Sequence, residues 1–248
     1  MKRIFFILFA LAFIALTITC KKDAQPEEPD MILVEGGTFT MGCTDGDCSL
    51  DGREEPAHQV TVSSFKIGKY PITQKQWNSV MGTNSSYFKG DNLPVETVSW
   101  EDAQEFITKL NAATGKKYRL LTEAEWEFAC RGGLQSGNYQ YSGSNDLNAV
   151  AWHDGNSEGK THPVGTKQPN ELGIYDMNGN VWEWCNDWYG AYSADTQTNP
   201  QGATTGLRRV GRGGSWGDDA QHCRVSMRSN GAPNARDEYS GFRLALSI

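Results

Sequence analysis

Alternation of apolar and polar residues predicts β-strands in the first part of the chain. Residues 59–67 alternate with the period of a half-buried strand. Two shorter apolar runs, 31–34 and 38–41, lie on either side of a Gly-Gly pair and predict two earlier strands. The chain is therefore expected to begin its folded part at residue 31.

Helical periodicity with matching cap residues predicts helices in the middle of the chain. Thr73 is placed to cap a short helix over residues 74–81. Ser99 is placed to cap a longer one, with Asp102 in its first turn and Gly115 at its end. This helix, from residue 100 to about 113, has one apolar face formed by Ala103, Phe106, Ile107 and Leu110.

A third helix is predicted by a capping box formed by Thr122 and Glu125. It carries Trp126 and Ala129 and is expected to stop at the glycines at 132–133. Beyond that point the sequence has no helical periodicity of useful length. Helices followed by a region rich in glycine and tryptophan predict a mixed α+β domain with many loops.

The first twenty residues have the pattern of a signal peptide. Lys2 and Arg3 precede an apolar run over residues 4–18, which is too short to span a membrane. Cys20 follows at the position of the lipid-attachment cysteine of bacterial lipoproteins; the alternative is an ordinary cleaved signal peptide. Residues 21–30 are charged and contain proline, which predicts a flexible tether to one domain over 31–248.

The charge and composition of the chain exclude one class of partner and indicate the kind of fold. The formal net charge is −7, and the sequence has no run of basic residues, which argues against nucleic acid as a partner. The chain contains 27 glycines and 8 tryptophans, as expected for a loop-rich fold around an aromatic core.

The stretch 170–188 is the most informative part of the chain. Its tryptophans, at 182, 184 and 188, can bury a large area with little loss of rotamer entropy. Asn178-Gly179-Asn180 indicates a turn, and Asp176 and Glu183 lie on either side of it. Such a loop can direct several oxygens at a hard cation such as calcium. The alternative is a solvated loop that covers an aromatic core.

The cysteines predict disulfides in an exported protein. Once Cys20 is assigned to the anchor, five cysteines are left, enough for two disulfides and one free thiol. Cys43 and Cys48 enclose a turn that can bring them together. A thiolate zinc site at this pair is disfavoured because no second pair lies nearby. The four histidines have no ligand spacing.

Five ordered segments resemble the sulfatase-modifying factor, or formylglycine-generating enzyme, family. They include the runs RLLTEAEWEFACRGG, GIYDMNGNVWEW and RGGSW, and the resemblance extends over 31–42, 118–133, 173–184, 212–216 and 241–244. This resemblance implies a loop-rich fold related to C-type lectins. It also implies a calcium site with ligands from Asp176, Gly179, Val181 and Glu183, and a second site near Asn156 and Ser157.

The same resemblance implies an oxidase site of two copper-binding cysteines, spaced C-x4-C, just after the Gly-Gly-Ser block. Counting forward from Ser215 places Asp218 at the first cysteine and Cys223 at the second. Counting backward from Arg228 places Ala220 at the second. At least one cysteine is missing under either count, and a carboxylate is a poor ligand for Cu(I). Copper is therefore not expected.

Cys223 has two possible roles. It can pair with Cys185 and tie the C-terminal segment to the core, or it can be a free functional thiol. Cys130 matches a disulfide-bonded family position whose partner position is Leu244 here. Cys130 is therefore expected to be a free, buried thiol.

These observations predict a lipid-anchored, exported envelope protein, periplasmic or surface-exposed, that acts as a binding or envelope-complex component. By position Ser215, Trp216 and Arg228 are expected to line its ligand groove, for a protein, peptide or glycan. The alternative for the Gly-Gly-Ser block is a tight turn that leads an aromatic residue into the core. The alternative functions are formylglycine generation, another oxidation of exported substrates, with Cys223 and Ser215 as weak catalytic candidates, and calcium-dependent sugar binding.

Overall fold

The computed structural model describes residues 25–44, 46 and 52–248. The predicted signal peptide, Cys20 and Cys48 lie outside these residues. Within the described ranges no helix is both long enough and apolar enough to cross a membrane.

Short strands and four α-helices make up a mixed α+β domain in the described part of the chain. The strands are β1 (Met31–Val34), β2 (Gly37–Met41), β3 (His58–Val62), β4 (Phe65–Gly68), β5 (Tyr118–Leu120), β6 (Trp182–Trp188), β7 (Gln197–Thr198), β8 (Arg209–Arg212), β9 (Arg228–Gly231), β10 (Ser240–Gly241) and β11 (Leu244–Ser247). The helices are α1 (Gln74–Met81), α2 (Trp100–Thr114), α3 (Glu123–Cys130) and the four-residue α4 (Leu147–Val150), with a 3-10 turn at Gly133–Gln135.

The three predicted helices are confirmed together with their caps. Thr73, Ser99 and Thr122 each accept a hydrogen bond from the backbone of the first turn and complete a capping box. Gly115 ends α2 in the left-handed conformation with φ 72°. The apolar face predicted for α2 is fully buried.

Among the described residues the strands form three small sheets. The first has the order β1-β4-β11-β5, the second β10-β6-β8-β9 and the third β2-β3-β7. Residues 59–67, predicted as one strand, instead form β3 and β4, which belong to different sheets. A bend at Ser63 and Ser64 separates them; Ser63 N donates to Asn199 Oδ1 and Ser64 Oγ accepts from Gly36 N. The second sheet, which we call the central sheet, lies next to α3 and carries the candidate site.

Candidate functional site

The strand β6 gives the central sheet two chemically different faces. Side chains alternate along a strand, so Trp182 and Trp184 point to one face while Glu183, Cys185 and Asp187 point to the other. The second face packs against α3, and all three of its β6 residues are buried there. The sequence motif therefore separates its aromatic residues from its acidic ones.

The strand register extends the first face across the sheet. Trp184 lies opposite Gly211 of β8, which lies opposite Ser229 of β9. Directly opposed residues share a face, so a glycine lies between an indole ring and a small polar side chain. This row leaves an open depression on the sheet surface.

A cavity of about 280 Å³ occupies this depression, and we call it the aromatic cavity. Its rings come from Trp182, Trp184 and Tyr239, and its carboxylates from Asp218 and Asp237. Glycines at 211, 217 and 231 line it as well. A cavity of this size suits a small ligand or a single side chain.

Asp218 connects the cavity to the Gly-Gly-Ser block. Its Oδ2 accepts hydrogen bonds from Trp182 Nε1 at 2.8 Å and from the Ser215 hydroxyl. Ser215 itself is fully buried. Trp216 stacks on Tyr239 with ring centroids 4.7 Å apart, so it supports the cavity wall. The predicted groove residues Ser215 and Trp216 therefore lie beside the aromatic cavity.

Arg228, the third predicted groove residue, does not belong to this cavity. It lies on the opposite face of the central sheet, where its Nε and Nη2 donate to Glu123 at 2.6 and 2.8 Å. Its guanidinium packs on the ring of Tyr192 at 3.7 Å, and the side chain is 2 % exposed. The prediction of one groove with Arg228 in it was wrong, because β-strand alternation directs this side chain beneath α3.

The cysteines differ from the predicted pairing. Cys185 and Cys223 are both free and fully buried, in separate apolar clusters. The prediction of a Cys185–Cys223 disulfide was therefore wrong. Cys185 points from β6 into the main core, whereas Cys223 packs near α4. Cys130 is free and buried, as expected. Cys43 is disulfide-bonded, while its predicted partner Cys48 lies outside the described residues.

Burial makes these thiols poor nucleophiles and poor metal ligands. Burial raises the pKa of the Cys130 thiol to about 12. It also raises the pKa of Cys185 and of Cys223, where the carboxylates of nearby aspartates add to the effect. Copper binding and sulfur nucleophilicity both need the thiolate, so none of the three is poised for either.

The predicted calcium ligand Glu183 is already neutralised by an arginine. Arg243 is fully buried, and its Nη2 lies 2.7 Å from Glu183 Oε1 while its Nε lies 2.8 Å from Oε2. Trp126 Nε1 donates to the same Oε2 at 2.7 Å. Arg243 also donates to the carbonyls of Tyr175 and Asp176. The Arg243 guanidinium thus forms an ion pair with the carboxylate that was expected to bind a metal ion.

Asp176 has no such partner. It is 3 % exposed, accepts from Gly165 N at 2.7 Å and receives a long contact of 3.4 Å from Asn180 Nδ2. Among the described residues it forms no ion pair, and burial raises its pKa to about 6. The predicted set of four ligands therefore does not fit calcium as a whole. Asp176 is available for a cation, and Glu183 is not while Arg243 is present.

The second predicted calcium site does not fit either. The Asn156 Oδ1 accepts from His153 N at 2.9 Å, and its Nδ2 donates to Ala151 O. The Ser157 hydroxyl donates to Trp216 O at 2.7 Å, and the Ser157 carbonyl contacts His162 Nε2. These atoms are therefore already used in hydrogen bonds within the protein. Across the described part of the chain no three His, Cys, Asp or Glu side chains cluster in a metal-binding arrangement.

Sequence reasoning missed Asp187, a buried carboxyl on the face of β6 that packs against α3. Burial, reinforced by the neighbouring Glu123 carboxylate, raises its pKa to about 8. Asp187 lines a second cavity of about 160 Å³ together with Glu123 and Arg228. Its Oδ2 accepts from Glu123 N at 2.9 Å. The period of two in β6 is the signal that could have placed it on the same face of the strand as Glu183.

Comparisons with known proteins agree with this architecture. Residues 17–248 match the sulfatase-modifying factor enzyme 1-like domain. A chaperone protein LppX from Paenibacillus barcinonensis is 34% identical, with 88% of this chain and 89% of the relative covered. A formylglycine-generating enzyme from Thermomonospora curvata is 30% identical, with 91% and 96% covered.

A solved structure has the same fold. Treponema denticola variable protein 1 superposes with a TM-score of 0.81 at 32% identity, covering 88% of this chain and 95% of that one. The match over nearly the whole described domain, with identities of 30% and above, establishes the relationship. The chain belongs to the family of sulfatase-modifying factor enzyme 1-like domains.

Proposed function

We propose that this protein is a binding member of its family, with the aromatic cavity as its ligand site and without two-cysteine oxidase chemistry. The observation that carries the proposal is Asp218. By forward count it takes the place of the first catalytic cysteine, and its carboxylate is held by Trp182 and Ser215. Thiolate ligands suit Cu(I), and a hydrogen-bonded carboxylate does not.

The remaining thiols support the same proposal. Cys223, the candidate second cysteine, is fully buried and packs against α4 residues. Burial and the nearby Asp218 carboxylate raise its pKa, which disfavours the thiolate. The aromatic cavity, by contrast, is lined by rings and open to solvent, and Cys223 does not line it. That combination suits recognition better than oxygen activation.

The names of two relatives point in different directions. One is a chaperone protein, a name that describes binding, and the other is a formylglycine-generating enzyme. The second name keeps oxidation of exported cysteine substrates as the alternative function. The two functions differ in whether the protein takes up copper.

Copper uptake and peptide oxidation test the choice. The purified protein is titrated with Cu(I) and incubated with oxygen and a cysteine peptide, with the formylglycine-generating enzyme from Thermomonospora curvata as positive control. We expect no stoichiometric copper and no aldehyde product by mass spectrometry. One copper per chain, together with product that disappears in Cys223→Ser, would replace the binding proposal with the enzymatic one.

We also propose that the protein is a membrane-anchored lipoprotein attached through Cys20 and exported from the cytoplasm. The support is the sequence pattern of residues 1–20. Metabolic labelling with an alkyne fatty acid should mark the wild-type protein and not Cys20→Ala. Equal labelling of both, or none of either, would remove the anchor.

The proposal of calcium rests on Asp176 alone. A buried carboxylate without an ion pair gains from a cation, and calcium would supply that charge. Thermal unfolding is compared in calcium and in chelator for the wild type and Asp176→Asn. Calcium should raise the wild-type Tm and raise the variant's Tm less. Identical wild-type curves with and without calcium would end the proposal.

A further inference from the structure

The charged side chains that line the aromatic cavity are all negative. Twelve described residues line it, of which Asp218 and Asp237 are acidic and none is basic. Neither carboxylate has an ion pair among the described residues. By contrast, the Asp102 carboxylate accepts hydrogen bonds from Nε and Nη2 of Arg236 at 2.6 and 2.7 Å. The two cavity acids are therefore left to attract a positive group.

Each of these carboxylates also has an oxygen to spare. Asp218 uses Oδ2 for Trp182 and Ser215, which leaves Oδ1 without a hydrogen bond from the described residues. Asp237 uses Oδ1 to accept from Tyr239 N at 3.2 Å, which leaves Oδ2. In each carboxylate, the hydrogen-bonded oxygen fixes the group in place and the other oxygen is available to a ligand.

A hydroxyl is also available to a ligand in the cavity. Ser240 lines the cavity and is 9% exposed, and none of the described side chains forms a hydrogen bond with its Oγ. The hydroxyl can therefore donate to water or to a ligand in the cavity.

The walls of the cavity suit a cation. Trp182, Trp184 and Tyr239 line the cavity together with glycines at 211, 217 and 231. Indole and phenol faces attract organic cations through their quadrupoles, and indole does so most strongly. An anion would face two carboxylates, and a neutral ligand would leave both unpaired.

We propose that the aromatic cavity binds an organic ammonium group, packed on the indole and phenol rings and neutralised by Asp218 and Asp237. The proposal deepens the function proposed above and rests on the cavity being the ligand site. The ammonium can belong to a choline-type headgroup or to a lysine-type side chain. Both sources share the chemistry that the cavity recognises.

Three probes separate charge from shape. Choline and n-butylammonium carry the two kinds of ammonium, and 3,3-dimethylbutan-1-ol is the neutral isostere of choline. Each is titrated into the purified protein while the indole N–H resonances are followed by NMR. The Trp182 N–H donates to Asp218 and therefore reports directly on the site. At least one ammonium should bind about tenfold or more tighter than the neutral isostere, and the preferred one identifies the source.

Variants then locate the binding. Asp218→Asn and Asp237→Asn should each weaken the preferred ammonium by about tenfold, since each removes one charge and keeps an acceptor oxygen. Asp195→Asn, a carboxylate that does not line the cavity, is the matched control and should bind as wild type. Gly211→Val fills the cavity without touching its charges, because a Cβ there would lie 4.0 Å from its nearest neighbour. It should abolish binding of every probe.

The outcomes distinguish the two levels of the proposal. If the isostere binds as tightly as choline and Gly211→Val removes both, the cavity is a ligand site and the ammonium inference is wrong. If neither ammonium shifts the Trp182 resonance at concentrations up to about 10 mM, which would detect a Kd of about 1 mM, the inference is also overturned. The binding function itself fails on a different result, the copper uptake and peptide oxidation described above.

Discussion

Replacing Arg243 by methionine tests the claim that a guanidinium takes the place of a metal ion at Glu183. The side chain is fully buried and donates to both Glu183 oxygens and to the carbonyls of Gly68, Tyr175 and Asp176. Methionine keeps the volume and the flexible stem but removes every donor. Glu183 then keeps one hydrogen bond, from Trp126.

The expected cost follows from what is left behind. Removing one partner of a buried ion pair destabilises a protein by about 3–5 kcal/mol, because the other charge is left unpaired. For a domain of this size each kcal/mol lowers the Tm by about 2–4 °C. Arg243→Met should therefore lower the Tm by about 6–20 °C in a reversible thermal or urea unfolding experiment.

The control is an exposed pair of the same geometry. Arg236 forms a bidentate pair with Asp102, but its side chain is 50% exposed. Surface pairs contribute about 1 kcal/mol or less, so Arg236→Met should change stability little. The double variant Glu183→Leu with Arg243→Met should cost less than the sum of its single variants, since no charge is left buried alone. Arg243→Met unfolding within about 1 kcal/mol of wild type would refute this reasoning.

Three further predictions follow from the packing. The folded pKa of Asp187, about 8, lies above that of the unfolded chain, so its contribution to stability is full below about pH 4 and is lost as the pH rises through 8. Asp187→Asn mimics the protonated acid, so its free energy of unfolding in urea should rise relative to that of wild type as the pH increases from 5 to 9. Parallel pH curves for the two proteins would contradict the raised pKa of Asp187. Gly179 has φ 69°, and a Cβ there would lie 2.1 Å from Trp152 O, whereas Gly159 has φ 70° with open space around it. Gly159→Ala should thus lower the free energy of unfolding by about 1–2 kcal/mol for the left-handed backbone alone, and Gly179→Ala should lower it clearly more. Equal losses would show that the backbone at Trp152 moves away from the new Cβ. The three buried thiols should react with a thiol reagent at the rate of unfolding, and fast labelling of the folded protein would contradict their burial.

Local signals in the sequence predicted the three longer helices and their ends, although they did not separate β3 from β4. The caps at Thr73, Ser99 and Thr122 occur where the pattern places them, because a capping box needs only residues within one helical turn. The family was also visible in the sequence, since its motifs are contiguous segments. Local signals of this kind do not depend on the rest of the fold.

Tertiary structure alone decided which side chains meet. The register of the central sheet places Trp184 beside Gly211 and sends Cys185 into the core, so a cysteine that looked available for a disulfide has no reach to Cys223. Arg243 lies 60 residues after Glu183 in the chain and still forms its ion pair. Pairing across such separations depends on strand order and on burial, which the period of a segment does not encode. The candidate site is for that reason a property of the folded sheet, which brings the β6 tryptophans together with Asp218 and Asp237 in one cavity.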